Sequence, residues 1–170
     1  MMRIFIILFI FMLFGCTNNQ TPTSYWSDKQ SQINITKVLN QENKSSQTDL
    51  HSRVLNGNVL LFGHYPQNYS LDNVIVKLKN LPNIKQVYNN SSQGRPLNFQ
   101  QISEDNYLVL KINTSLLTDG FISNNTLNFA AYDSDVFVIG SVPHSKRKQI
   151  IGSIQKVSGI NKIMTFFNID

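Results

Sequence analysis

Two short apolar stretches, VLLFGHYP at residues 59–66 and VFVIGSVP at residues 136–143, decide the fold of this chain. They align at an offset of 77 residues, which pairs Val59 with Val136, Gly63 with Gly140 and Pro66 with Pro143. Each is rich in β-branched and aromatic residues and stops at a proline, which is typical of a buried β-strand. A pattern that recurs at a fixed offset indicates an internal repeat, so we expect two copies of one structural unit.

The residues around the first stretch predict the first unit. An amphipathic helix is expected from Asp28, as its N-cap, to Lys44. Residues 50–56 alternate weakly and end in Asn56-Gly57, the dipeptide that favours a type I′ hairpin turn into the strand at 59–65. A second helix follows Ser70 and ends at Pro82, and a third strand is predicted over residues 84–88.

The same order of elements is predicted around the second stretch. A helix runs from Ser103 to a Gly120 C-cap, a strand covers residues 126–132, and Asp133-Ser134-Asp135 turns the chain. A helix over 145–158 and a strand over 160–169 complete the unit. The fold class is therefore α+β, with two tandem αββαβ units, each a small three-stranded mixed sheet packed on two helices. The second face of each sheet is either open or covered by the other unit.

The N-terminal stretch MMRIFIILFIFMLFGC, residues 1–16, predicts an export signal. Arg3 precedes an apolar run from Ile4 to Phe14 that is too short to span a bilayer. Its end, Leu13-Phe14-Gly15-Cys16, resembles the lipobox of bacterial lipoproteins. That resemblance implies that a signal peptide of residues 1–15 is removed and that Cys16 carries the lipid. The alternative is an ordinary cleaved signal peptide with an incidental cysteine.

Residues 16–27 are expected to form a flexible, lipidated tether, because they are polar and lack apolar periodicity. Tyr25-Trp26 in this segment either lies at the membrane–water interface or packs on the first unit. Cys16 is the only cysteine, so no disulfide forms within the chain.

Composition and motifs argue for a binding protein rather than an enzyme. The net charge of +5 on 170 residues is compatible with an anionic partner but does not demand one. The chain has no nucleophile or phosphate-binding motif, and its three histidines are too scattered for a metal site. We expect no cofactor, and export to the periplasm argues against a nucleic-acid partner.

Several short motifs of this chain resemble those of a known family, the BON domain (bacterial OsmY and nodulation). The resemblance rests on these motifs: Val87-Tyr88-Asn89, Gln93-Gly94-Arg95-Pro96, Ser103-Glu104-Asp105-Asn106, Ser115-Leu116-Leu117-Thr118 and Val157-Ser158-Gly159. It divides the chain into a first BON domain at 28–90, a linker at 91–102 and a second BON domain at 103–170. It implies a lipoprotein on the periplasmic face of the outer membrane that binds anionic phospholipid, such as phosphatidylglycerol, through the second domain. It also implies a role in envelope integrity, action at the division site and a link to outer-membrane protein assembly.

The first helix of the second unit is the predicted lipid-binding element. If Leu108, Ile112 and Leu116 form its core stripe, then Tyr107, Leu110 and Leu117 make a second apolar stripe, which a small domain does not need. In the family, an aromatic residue at the position of Tyr107 and a leucine at that of Leu117 face lipid. The alternative is that Tyr107 and Leu117 pack against the first unit.

A basic cluster, Lys146-Arg147-Lys148, is the second candidate site. Cations in the first turn of a helix oppose its dipole, so they favour an anionic partner, although such a run is often only a solvated face. Lys111 is expected to join this cluster.

The sequence therefore favours a tethered phospholipid-binding protein. Its main rival is an adaptor for outer-membrane protein assembly or cell-wall remodelling, which docks a protein on the open sheet face or on the Tyr107 stripe. A structural lipoprotein without a specific ligand is the third possibility.

Overall fold

The computed structural model describes residues 22–121 and 127–167 and has the α+β fold predicted from the repeat. The signal peptide, Cys16 and residues 17–21 lie outside the described residues. The first unit contains α1 (Pro22–Ser46), β1 (Asp49–Leu55), β2 (Asn58–Tyr65), α2 (Asp72–Lys79) and β3 (Gln86–Gln93). The second contains α3 (Phe99–Thr118), β4 (Leu127–Tyr132), β5 (Asp135–Gly140), α4 (His144–Gln155) and β6 (Lys162–Phe167). None of these helices is long and apolar enough to cross a membrane.

Each unit forms one mixed three-stranded sheet, as expected. The strand order is β1-β2-β3 in the first and β4-β5-β6 in the second. The hairpin strands pair antiparallel, and the strand that follows the crossover helix pairs parallel with the central strand. Asn56 and Gly57 have φ values of 52° and 77°, which confirms the type I′ turn predicted from this dipeptide.

Gly63 lies where the two hairpin strands approach closely. Its φ is +115°, and a Cβ added there would lie 2.0 Å from the carbonyl oxygen of Asp49. Only glycine fits such a position without moving the backbone.

The central strands β2 and β5 are buried on both faces. Val59 and Leu61 of β2 face the helices of the first unit, and Val136 and Val138 of β5 face those of the second. The alternate side chains of both strands form a third apolar cluster between the two sheets, which contains Leu55, Leu60, Phe62, Ala130, Tyr132, Phe137 and Ile139. The second face of each sheet is thus covered by the partner unit, and docking of a protein on an open sheet face is excluded.

Polar contacts between the units centre on Asp49. Its Oδ2 accepts hydrogen bonds from the Tyr132 hydroxyl at 2.7 Å and from the Leu97 backbone N–H at 3.2 Å. Its Oδ1 lies 2.8 Å from His51 Nε2. Burial disfavours the charged carboxylate, but the hydrogen bonds from His51 and Tyr132 and the nearby imidazole outweigh it, so the pKa of Asp49 falls to about 2. This carboxylate therefore joins strands of both units to the segment that connects them.

In each unit, one aspartate fixes the hairpin turn to the first helix of that unit. Asp28 accepts from the backbone N–H groups of Asn56 and Gly57, at 2.6 and 2.9 Å. Asp105 accepts in the same way from Asp133 and Ser134, at 2.8 and 2.9 Å. Asp28 was expected to be an N-cap, but α1 begins at Pro22 and Asp28 lies inside it. The predicted tether is therefore helical from Pro22 onward.

Candidate functional site

Helix α3 begins four residues earlier than predicted, at Phe99, because a capping box closes its first turn. The Asn98 side chain accepts from the Gln101 backbone N–H at 3.0 Å, and the Gln101 side chain accepts from the Asn98 N–H at 3.1 Å. This earlier start adds Phe99 and Ile102 to the helix. Both residues lie in the predicted linker, residues 91–102, so they were not among the predicted site residues. The Asn-x-x-Gln spacing at residues 98–101 is the sequence signal that identifies them as helical.

The buried face of α3 is the one predicted from sequence. Leu108, Ile112 and Leu116 are almost completely inaccessible to solvent. They form the core of the second unit together with buried side chains of β5 and α4. Asp105 extends this face to the β4–β5 turn, which it binds. The C-terminal end of α3 is held to α4, because Asp119 accepts hydrogen bonds from the Ser153 hydroxyl and from Lys156 Nζ.

The opposite face of α3 presents large apolar side chains to solvent. Phe99 is 85% exposed, Tyr107 62% and Leu117 65%, and Leu110 and Ile102 are also exposed. From Phe99 to Leu117 this face runs for about 27 Å at the rise of an α-helix. The prediction of a second apolar stripe is confirmed, and packing of Tyr107 and Leu117 against the first unit is excluded by their exposure. We call Phe99, Ile102, Tyr107, Leu110 and Leu117 the α3 apolar face.

Three uncharged polar side chains between these apolar residues bond to the helix itself. Ser103, Asn113 and Thr114 each donate a hydrogen bond to the carbonyl four residues earlier, at 2.9 to 3.2 Å. A polar group already bonded inside the helix loses less on leaving water than one bonded only to water. The face can therefore enter an apolar environment at a small desolvation cost.

Lys111 stands beside Tyr107 and apart from the basic cluster. Its Nζ lies 5.2 Å from the centre of the Tyr107 ring and donates to the Ser158 carbonyl, just beyond the C-terminal end of α4. Lys146, Arg147 and Lys148 lie among the first five residues of the same helix, which is about 18 Å long. The expectation that Lys111 joins their patch is therefore wrong, although it flanks the α3 apolar face.

The basic cluster at the start of α4 is only partly free. Lys146 and Lys148 are exposed, whereas Arg147 is half-buried. The Arg147 Nε donates to the Val142 carbonyl at 3.0 Å, and its guanidinium lies 5.5 Å from the centre of the Phe167 ring. Arg147 thus has a packing role, and the two lysines are the members that an anionic surface can reach.

Within residues 22–121 and 127–167, no group of three His, Cys, Asp or Glu side chains is placed to hold a metal ion. His51 and His64 lie against Tyr132 at the interface of the units, with ring centres 5.5 and 4.9 Å from its ring. Their positions at this interface are a consequence of how the sheets pack.

Comparison with known proteins agrees with the fold and with the resemblance found in the sequence. Residues 27–93 match the BON domain family. The match does not include the second unit, which nevertheless has the same αββαβ order, the same sheet pairing and the same turn-binding aspartate. The first unit matches the BON domain family over nearly its whole length, and the second repeats the same architecture.

The chain is also similar to two characterised bacterial proteins. It is 27% identical over 135 residues to the outer membrane lipoprotein DolP of Haemophilus influenzae, covering 77% of this chain and 70% of the relative. It is 21% identical over 151 residues to a 21 kDa hemolysin of Actinobacillus pleuropneumoniae, covering 86% and 78%. A solved structure of the C-terminal domain of CdsD, a structural protein of the type III secretion system of Chlamydia trachomatis, aligns with 78% of this chain and 95% of that one, at 11% identity. Its TM-score of 0.33 is too low to support a conclusion.

Proposed function

We propose that this BON-domain protein is a lipoprotein of the outer membrane, attached on the periplasmic face through Cys16, that binds anionic phospholipid through its second unit. The observation that supports lipid binding most directly is the α3 apolar face, whose large side chains are exposed although the core of the unit is complete without them. The similarity to an outer membrane lipoprotein supports the location. We further propose a non-catalytic role in envelope integrity, including action at the division site.

The chemistry of the α3 apolar face fits shallow insertion between lipid headgroups. Five large apolar side chains lie on one face of a rigid helix, and moving each from water into the acyl boundary gains roughly 1–2 kcal/mol, since part of its surface is already covered. The neighbouring polar groups are bonded within the helix. Tyr107 keeps its hydroxyl at the headgroup level, where amphipathic rings are favoured.

A basic side chain gives this surface its preference for anionic lipid. Lys111 flanks Tyr107 on the α3 apolar face, whereas Lys146 and Lys148 lie apart from it, at the start of α4. Each basic residue near an anionic surface contributes about 1 kcal/mol. Each of these contributions is small, but together with the inserted apolar side chains they suffice to hold the domain on anionic vesicles at low salt, and an anchor at Cys16 further raises its effective concentration at the bilayer.

Flotation with liposomes tests the proposal. Residues 17–170 without the lipid are mixed with vesicles that contain or lack phosphatidylglycerol, at low salt, and three proteins are compared: wild type, Tyr107→Glu and Val76→Glu. Val76 is a matched control because it is 56% exposed, close to the 62% of Tyr107, but lies on α2 of the first unit.

We expect wild type and Val76→Glu to float with anionic vesicles and Tyr107→Glu to remain at the bottom. Thermal unfolding should show both variants within about 0.5 kcal/mol of wild type, because both sites are exposed. If wild type does not float at low salt, lipid binding by this face is refuted. The exposed α3 apolar face would then favour the adaptor function, with a protein component of outer-membrane assembly or cell-wall remodelling as its partner.

A further inference from the structure

The start of α1 presents a second exposed aromatic group, on the first unit. Trp26 is 64% exposed, and Tyr25 is exposed beside it in an edge-to-face pair with ring centres 5.8 Å apart. The Lys29 Nζ lies 5.5 Å from the centre of the indole ring. Neither aromatic residue belongs to a core cluster of the described chain, so the fold does not explain why a tryptophan stands there.

The start of α1 and the basic start of α4 lie at the same end of the molecule. Ser24 and Ser27 of α1 line a polar cavity of about 760 Å³ together with Ser141 and Phe167 of the second unit. The Phe167 ring is the one that Arg147 contacts, at the first turn of α4. The start of α1, which carries Trp26 and Lys29, and the start of α4, which carries the exposed Lys146 and Lys148, therefore lie at the same end of the molecule.

This end is also where the chain leaves toward Cys16. Only five residues, Thr17–Thr21, separate Cys16 from Pro22, the first residue of α1. Even fully extended, that segment reaches about 20 Å. A lipid on Cys16 therefore holds the start of α1 close to the bilayer surface, where Trp and Tyr are enriched and where lysine can extend its ammonium to the headgroups.

We propose that Tyr25, Trp26 and Lys29, supported by Lys146 and Lys148, form a second membrane contact, which rests in the interfacial layer of the bilayer that holds the chain's own lipid. This proposal rests on the lipid anchor at Cys16 but not on lipid binding by the α3 apolar face. With one membrane contact on each unit, the orientation of the two-unit protein relative to the bilayer is fixed. The lipid anchor alone does not fix this orientation.

Trp26 is the only tryptophan in the chain and so reports on its own surroundings. The full-length lipidated protein is purified, its lipid at Cys16 is verified by mass spectrometry, and it is reconstituted into vesicles of phosphatidylethanolamine and phosphatidylglycerol with or without bromine on the acyl chains near the headgroup. Tryptophan emission is recorded for wild type, for Tyr107→Glu, and for the double variant Trp26→Phe/Tyr107→Trp, which moves the reporter to α3.

We expect the Trp26 emission of wild type to shift to shorter wavelength in vesicles and to be quenched by the brominated chains, and Tyr107→Glu to behave in the same way. Unquenched Trp26 emission at the wavelength of a water-exposed indole overturns the proposal, and so does a chain without lipid on Cys16. The double variant separates the two contacts. Quenching there without quenching of Trp26 overturns only the α1 contact, whereas quenching of Trp26 alone upholds that contact and refutes the α3 contact.

Discussion

Asp49 links the two units, and its protonation should weaken the fold by a predictable amount. The hydrogen bonds from His51 and Tyr132 lower its pKa from the ordinary 3.8 to about 2, against the cost of burial, and only 20% of its side chain is exposed. At 1.36 kcal/mol per pH unit, this difference makes the ionised carboxylate worth roughly 2 kcal/mol of folding free energy. Because the pKa is lower in the folded state, the contribution is complete above pH 4 and disappears as the pH falls toward 2.

Asp49→Asn tests this value. The amide is uncharged at every pH and leaves one of the donors around position 49 without an acceptor. Urea unfolding of both proteins from pH 2 to pH 6 should show wild type more stable by about 2 kcal/mol at pH 6. The two curves should converge near pH 2.

The comparison between the two proteins matters because other carboxyl groups also titrate in this range. The pKa of Glu42 is lowered by hydrogen bonds from Lys77 and Tyr69, and that of Asp119 by hydrogen bonds from Ser153 and Lys156. These groups act equally in wild type and Asp49→Asn, so they cancel in the difference. A stability difference that stays constant from pH 2 to pH 6 would refute the assignment of a charged, hydrogen-bonded Asp49 at the interface.

Two further predictions concern helix α3. Leu116→Ala should lower the free energy of unfolding by about 2–5 kcal/mol, because Leu116 is buried in the core. Leu117→Ala should lower it by less than about 0.5 kcal/mol, because the adjacent Leu117 faces solvent. Equal losses in urea unfolding would contradict the assignment of the two faces. Asp105→Ala should cost about 1–3 kcal/mol, since the β4–β5 turn loses the acceptor of two backbone N–H groups, and Asp28→Ala should cost a similar amount in the first unit. A thermal unfolding temperature unchanged in both aspartate variants would show that these turns do not need their carboxylates.

The elements that sequence predicted well are those whose side chains carry the pattern. The offset between Val59 and Val136 located the central strands, because strands buried on both faces are continuous apolar runs. The helical spacing of Leu108, Ile112 and Leu116 gave the buried face of α3, and hence its exposed one, before any coordinates. Apolar periodicity reports directly on which side chains leave water, so these predictions were accurate.

Elements whose limits are set by main-chain hydrogen bonds rather than by buried side chains were predicted less well. The strand β3 continues through Asn89-Asn90-Ser91-Ser92 to Gln93, a run that resembles a turn-rich linker. Its backbone pairs in parallel with β2 over that whole length, and hydrogen bonds along the main chain leave no apolar pattern in the side chains. The start of α3 was missed for a related reason, because its first turn depends on the polar cap at Asn98 rather than on buried residues.

The packing of the two sheets explains why the proposed membrane contacts lie on helices. Each sheet covers the second face of the other, so the apolar side chains on these faces are buried between the two units. In the described chain, the exposed large apolar side chains lie on helices: Phe99, Ile102, Tyr107, Leu110 and Leu117 on α3, Tyr25, Trp26 and Ile33 on α1, and Val76 on α2. Helices α1 and α3 thus hold nearly all of these exposed apolar side chains, and α1 begins six residues after Cys16, the proposed lipid site. Because the fold buries its sheets and exposes these two helices, the two membrane contacts proposed for this protein both fall on helical surfaces.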